Sequence, residues 1–348
     1  MQCQECGVEG TFSCSLPYCP DCIRNKFDTL YPEIRKIHAQ TREKYGLPKE
    51  IPAHSSGETC NLCVNNCRIG EGKRGYCGMR ENVDGKIIGP DKNWAYVDWY
   101  HDPLPTNCVA DWVCEGSRDY DYTNLAVFYE GCTFNCLFCQ NWHFRERKRK
   151  ASTEDLVRAA DPATGCICYF GGDPTPFAWH SIEVSKQVLE KRKKFRICWE
   201  TNGSVSPQIM RRWIQYSLET NGCIKIDFKT FSEEMNIALC GSSNTNTKEN
   251  IKQIAPYMNE REKPPVLIVS TLLIPGYIDA YEIEQMAQFL SSINKKISWS
   301  FLGFYPHFYF NDLPCTTRSQ AEMALKIAKD YGIENTHVGN VHLLTEAN

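Results

Sequence analysis

The chain has 348 residues, more than one typical domain, and a net charge of −3 at pH 7, so bulk charge gives no reason to expect a nucleic-acid surface. Its 20 cysteines fall at metal-ligand spacings rather than behind an apolar signal segment. This argues against a disulfide-stapled secreted protein and for a reduced, anaerobic cytoplasm. The longest apolar run, 266–275, is too short to span a bilayer, so no membrane partner is expected.

In chain order, Cys3-x2-Cys6 and Cys19-x2-Cys22 come first and enclose twelve residues. Paired knuckles of this kind fit a tetrahedral zinc ribbon or a rubredoxin-like iron site. So short a segment builds little core, and a metal would hold its fold. Cys14 is left over. A helical pattern follows, with Phe27, Leu30, Tyr31, Ile34 and Ile37 on one face. Residues 46–58 (GLPKEIPAHSSGE) read as a linker. Cys60, Cys63, Cys67 and Cys77 then supply four thiolates, the number that a structural zinc or a closed cluster takes. An irregular aromatic stretch runs from Trp94 to Trp112 and on to residue 124, with Cys108 and Cys114 near its end.

From Leu125 the pattern becomes β-α alternation. Strands are predicted at 125–130, 166–170, 196–200, 223–228, 266–273 and 299–305, with helices near 153–160, 177–191, 207–218, 247–258, 281–291 and 318–330. Six alternating units imply an α/β fold, a parallel sheet wrapped by helices, and a partial (β/α)6 TIM-like barrel rather than the closed eight-unit form. Chemistry is then expected at the C-terminal strand ends. Cys166, Cys168, Cys198 and Cys223 fall in these strands and read as small core residues. Cys240 and Cys315 carry no readable role. The basic run 145–150 reads as a solvated loop or helix start, or as a neighbour of an anionic ligand.

The run from Gly131 to Cys139 places Cys132, Cys136 and Cys139 within eight residues, right after the first of these strands. Three protein ligands are one short of what a 4Fe–4S cluster takes, which leaves one iron open. A structural zinc loop with His143 as fourth ligand is the other reading. The spacing C-x3-C-x-aromatic-C, with Phe138 as the aromatic, resembles the signature of the radical SAM superfamily. That resemblance implies a 4Fe–4S cluster on the three cysteines. Its open iron is chelated by S-adenosylmethionine, which one electron from a low-potential donor cleaves to methionine and a 5′-deoxyadenosyl radical.

Further motifs resemble the same superfamily. Gly171-Gly172-Asp173-Pro174 alone is ordinary turn chemistry, but its position matches the GGE-type motif. This implies that Gly171, Gly172 and Asp173 hold the methionine amino group, with Asp where Glu is commoner. Glu200-Thr201-Asn202-Gly203 resembles the (D/E)TNG segment of the pyruvate formate-lyase activating enzyme branch, which places Glu200 on the cofactor ribose with Asn202 beside it. Asp227-Phe228-Lys229 resembles that branch's D-x-K, in which the lysine pairs with the methionine carboxylate. A buried Asp–Lys pair is the structural reading of the same residues, and both can hold. Ile274-Pro275-Gly276 through Asp279 resembles the IPG-x-x-D segment beside the adenine, and His307, after Phe304-Tyr305-Pro306, is expected to face the cofactor.

Cys60-Asn61-Leu62-Cys63 through Ile69, and Gly75 through Asn82, are similar to the N-terminal segment of the AmmeMemoRadiSam-system proteins. Cys139-Gln140-Asn141-Trp142, the Phe304 segment and Gly339-Asn340-Val341 are similar to them too, so the likeness spans about residues 60–341. The chain departs from that pattern at 101–108, where the family has E-K-K-P-L, and in its additional head. The expected organisation is a zinc- or iron-binding head plus helix (1–50), a second cysteine-rich module (51–124) and the barrel (125–348). The reaction implied is hydrogen abstraction from a protein or peptide residue, leading to its C-methylation with methylcobalamin. In its elaborate front half the chain is similar to the enzyme that methylates a glutamine Cα of methyl-coenzyme M reductase. The alternative is a glycyl-radical activase. A cobalamin would be walled by the aromatics of 94–112, which otherwise read as packing of the front module on the barrel.

Overall fold

The computed structural model describes residues 1–346 apart from 107 and 193. The head leads into α1 (Pro20–Asn25) and α2 (Phe27–Glu43). The face expected of α2 is the one that packs. Leu30 and Ile34 are buried, Phe27 and Ile37 lie against the core, and Tyr31 sits at the exposed margin. The second module holds two antiparallel pairs, β1 (Glu58–Thr59) with β2 (Arg68–Ile69), and β3 (Glu81–Val83) with β4 (Lys86–Ile88). The segment read as a linker is tied down beside them: Arg68 N–H donates to Pro52 O and His54 N–H to Arg68 O.

The main sheet has nine strands. They are β5 (Trp94–Pro103), β6 (Thr123–Tyr129), β7 (Lys150–Ser152), β8 (Thr164–Gly171), β9 (Arg196–Thr201), β10 (Ile224–Asp227), β11 (Leu267–Leu273), β12 (Ser298–Gly303) and β13 (Asn335–Gly339). Their order is β13-β12-β11-β10-β9-β8-β6-β5-β7. All neighbours from β6 to β13 are parallel, while β5 and β7 finish one edge antiparallel. The connecting helices are α3 (Thr153–Ala159), α4 (Ala178–Lys191), α5 (Pro207–Glu219), α6 (Glu233–Cys240), α7 (Thr245–Ile254), α8 (Ala280–Ile293) and α9 (Arg318–Asp330). The sheet is thus an open α/β barrel segment. Its apolar strands are buried by amphipathic helices; Trp199 of β9, for example, stacks on Trp213 of α5 at 5.4 Å. Among the described residues no helix is long and apolar enough to cross a membrane.

The six expected strands are present. Two more join them. The stretch read as irregular contains β5, in which fully buried Ala95 and Val97 alternate with larger aromatics and pair with β6. There the period-two signal is carried by two small residues. The last strand, β13, offers a single aliphatic residue in Asn-Thr-His-Val-Gly and is only half-buried, so its apolar signal is weak.

His180 of α4 is fully buried, with Nδ1 2.9 Å from the Tyr129 hydroxyl. Burial pulls its pKa down from 6.5 to about 4. Between those values the unfolded chain binds the additional proton, so stability rises with pH there. The contribution is complete above pH 6.5 and is lost as the pH falls towards about 4. His180→Gln should flatten unfolding free energy against pH in that window by up to one proton, ~1.4 kcal/mol per pH unit, read from anaerobic denaturant titrations.

Candidate active site

The loop after β6 carries the three clustered cysteines, and both ends of the chain's front half hold it in place. Asn135 N–H donates to Cys240 O at 2.7 Å and Leu137 N–H to Leu239 O at 3.0 Å, so the last turn of α6 supports its backbone. Asn135 Nδ2 donates to His38 Nδ1 (2.9 Å) and to Thr41 Oγ1 (2.7 Å), both on α2. Burial lowers the His38 pKa to about 4, so the ring is neutral. Its Nε2 lies 3.0 Å from Ala238 O, which assigns the proton to Nε2 and leaves Nδ1 to accept. The second module holds the other side. Val64 N–H donates to Ser204 O, Ser206 N–H to Leu62 O, and Asn65 Nδ2 to Thr133 O at 2.8 Å.

One cavity of ≈ 190 Å³ lies at the C-terminal ends of the strands. Cys132, Cys136, Cys139, Phe138, Gly171, Gly172, Asp173, Glu200, Asn202 and Lys229 all line it. Glycine is required at the first of its turns: Gly171 has φ +109°, and a Cβ on Gly172 would stand 2.3 Å from Gly131 O. Asp173 is buried and accepts from Thr175 N–H (2.8 Å), Thr201 Oγ1 (3.0 Å) and Asn202 N–H (2.8 Å), so it knits two strand-end loops together. Burial raises its pKa against the pull of those bonds. Asn202 Nδ2 reaches Thr133 Oγ1 at 2.9 Å and Cys132 Sγ at 3.8 Å. Glu200 pairs with Lys225 at 3.2 Å. Lys229 is paired with Asp227, as the structural reading of that motif expects, and its ammonium lies 5.6 Å from the Phe138 ring centre.

Three expected contacts fall elsewhere. Ile274, Gly276 and His307 are not among the lining residues. Gly276 has φ +78°, and a Cβ there would lie 1.5 Å from Thr11 O, so this glycine admits the head. Asp279 caps α8 and pairs with Arg24 at 2.7 Å. His307 packs beside Tyr305; the next residues reach the cluster loop instead, with Tyr309 N–H on Leu137 O at 2.9 Å and Phe310 near Phe138. His143 is exposed, stacked on Trp142 and beside Glu146, and does not line the cavity. Leu272 and Leu302, which the sequence had not singled out, line it too, as do Thr201 of the Glu200 segment and Arg145 of the basic run.

The cavity fits an iron–sulfur cluster with a zwitterionic cofactor. Burial pushes the Cys132 and Cys139 thiols up, and the neighbouring Cys240 with burial does the same for Cys136. A bound cation reverses that preference and takes them as thiolates. Arg145 Nη1 and Asp227 Oδ1 are buried with no hydrogen-bond partner, one donor and one acceptor on residues lining the same space. Buried polar atoms without partners call for a ligand, and an amino acid moiety offers both complements.

The head cysteines converge. The Sγ atoms of Cys3, Cys6, Cys19 and Cys22 all lie within 4.8 Å of one another, and Cys6 and Cys19 are 3.8 Å apart. A Zn–S bond of about 2.3 Å in a tetrahedron sets the sulfur separation at about 3.8 Å, so this tetrad has the size of a single ion. One zinc per chain is the ion expected at this head tetrad. Cys3→Ser with Cys22→Ser should abolish it and lower the unfolding temperature, since little apolar core holds the head. Cys60, Cys63, Cys67 and Cys77 are more loosely gathered. Burial first, then Cys77 and Cys60, raises the Cys67 thiol to about 12, and the other three charges similarly add to burial at Cys63. Among the described residues, only the head tetrad meets the 4.8 Å spacing. Cys14 N–H donates to Asp312 at 2.7 Å where the head meets the barrel.

The family described as the Radical SAM superfamily matches residues 126–290, the stretch that carries the cluster loop and most of the cavity wall. Over that stretch the chain carries a radical SAM domain. An uncharacterised protein of Methanocaldococcus jannaschii is 23% identical over 301 residues, 81% of each chain. Pyruvate formate-lyase 1-activating enzyme of Escherichia coli is 25% identical over 195 residues, 52% of this chain and 74% of that one. Among solved structures, Streptococcus suis SuiB bound to precursor peptide SuiA aligns with TM-score 0.49 and 14% identity, over 61% of this chain and 47% of that one. A radical SAM domain implies a 4Fe–4S cluster and S-adenosylmethionine.

Proposed function

We propose that this radical SAM enzyme removes a hydrogen atom from a residue of a partner protein and leaves the radical there, as a glycyl-radical activase does. What carries the reading is the convergence of three loop thiols, a Gly-Gly-Asp turn and the Asp227–Lys229 pair on one cavity. The likeness to an activating enzyme supports it. Bound together, the cluster and S-adenosylmethionine supply a carbon-centred hydrogen acceptor. Cys132, Cys136 and Cys139 would ligate the cluster. Asp227 would accept from the cofactor ammonium, Lys229 and Arg145 would take its carboxylate, and Glu200 its ribose. Phe138, Leu272 and Leu302 give the cavity apolar walls that exclude water and fix the reacting geometry.

The methyl-transfer reading needs a corrin beside this cavity. Trp94 packs on Tyr96 at 5.4 Å and under Lys150, Trp99 under Arg149, and Trp112 stacks on His337 at 5.1 Å. Those aromatics are engaged in packing, and for that reason we place the activase first. The test is product balance under argon with dithionite, S-adenosylmethionine and added hydroxocobalamin. The activase reading expects 5′-deoxyadenosine without S-adenosylhomocysteine, and no cobalamin retained on gel filtration. One retained cobalamin per chain, with S-adenosylhomocysteine formed alongside 5′-deoxyadenosine, would hand the reaction to methyl transfer.

A further inference from the structure

The barrel lumen holds a second cavity, of ≈ 200 Å³, that the proposed hydrogen abstraction does not use. Glu200 and Phe170 line both cavities, so this one lies directly on the lumen side of the candidate cofactor site. The strand cysteines expected to be core residues line it. Cys168 and Cys198 are register partners on β8 and β9, and Cys223 N–H, just before β10, donates to Cys198 Sγ at 3.3 Å. The strap between β5 and β6 adds Cys108 and Cys114. Cys166, the sixth, donates its S–H to Asn124 Oδ1 at 3.2 Å and is occupied as a thiol.

At the centre stands Lys225, 1% exposed, with Nζ 2.9 Å from Cys168 Sγ, 3.1 Å from Cys108 Sγ and 3.2 Å from Glu200 Oε2. Five thiols around a void is not how cysteine fills a core, because the lining atoms lose their packing partners. Glu200 gives this buried ammonium one counter-charge, and its other two contacts are sulfurs. A thiolate-ligated metal centre makes those sulfurs charged acceptors. Spacing then separates a single ion from a cluster. Among the described residues no three ligand atoms in the lumen lie within 4.8 Å of one another, and neither do those of Cys132, Cys136 and Cys139. A cluster places several irons between its thiolates and holds them further apart than one ion does.

We propose that the lumen cavity seats a further iron–sulfur cluster, ligated by thiolates drawn from Cys108, Cys114, Cys168, Cys198 and Cys223, with Lys225 hydrogen-bonded to its sulfur. The test measures iron, acid-labile sulfide and zinc per chain in anaerobically reconstituted full-length protein. Adding Cys168→Ser and Cys198→Ser to a background of Cys132→Ala, Cys136→Ala and Cys139→Ala should remove about two to four further irons with matching sulfide, while head zinc stays constant. Unchanged iron and sulfide would overturn the proposal, as would loss of zinc alone in a folded variant. Where the variant fails to fold, alkylation of the unmodified protein decides. Cys108 and Cys114 should react with iodoacetamide only after a chelator strips the iron; equal labelling before and after overturns the site.

Discussion

Cys136→Ala should reduce the conversion of S-adenosylmethionine to 5′-deoxyadenosine by at least about a thousandfold, ~4 kcal/mol of barrier, in reduced, reconstituted protein. The reason lies in how the loop is held. Cys136 sits between two backbone bonds to the carbonyls of Cys240 and Leu239, so the loop cannot slide to bring a new ligand forward. Two remaining thiolates are too few to retain a cluster with one open iron. Cys240 is a thiol in side-chain hydrogen-bond contact with Cys136. Any residual turnover should therefore vanish in Cys136→Ala/Cys240→Ala, while Cys240→Ala alone keeps its activity. Turnover that persists with Cys132, Cys136 and Cys139 all replaced would remove the cluster assignment altogether.

Local patterns in the sequence carried the barrel and the lining of its upper cavity. Cys132 to Cys139, Gly171 to Asp173, Glu200 to Asn202 and Lys229 each follow a strand. Parallel strands all end on one face, so a motif at each end meets the others. The same alternation carries a second signal. Cys198 lies two residues before Glu200, and Cys168 two before Phe170, so side-chain alternation puts them on the same inward face. They are buried, as the core reading expects, and that period adds that they face the lumen. Long-range partners were beyond local pattern. Nothing near His38 or Thr41 announces that they hold Asn135, almost a hundred residues on. Gly276 shows the limit of motif resemblance, since the need for glycine is real there but the backbone it admits is Thr11.

Lys229→Met should weaken S-adenosylmethionine binding by about 10- to 100-fold, ~1.5–3 kcal/mol, because a charge-assisted contact to the cofactor carboxylate is lost. Iron per chain should stay the same, since no thiolate is removed. Burial opposes the charge on Lys229, but Asp227 and Cys136 outweigh it and hold its pKa above the ordinary lysine range, so the ammonium persists across any workable pH. Methionine keeps much of the apolar stem. It also leaves Asp227 without its counter-charge, which by itself perturbs the cavity. The double variant Lys229→Met/Asp227→Asn, compared with Asp227→Asn alone, separates the two effects. If the lysine holds the cofactor directly, the double variant binds more weakly than Asp227→Asn. Equal affinity in those two would show that Lys229 served only to neutralise Asp227, and unchanged affinity in the single Lys229→Met variant would deny it both roles.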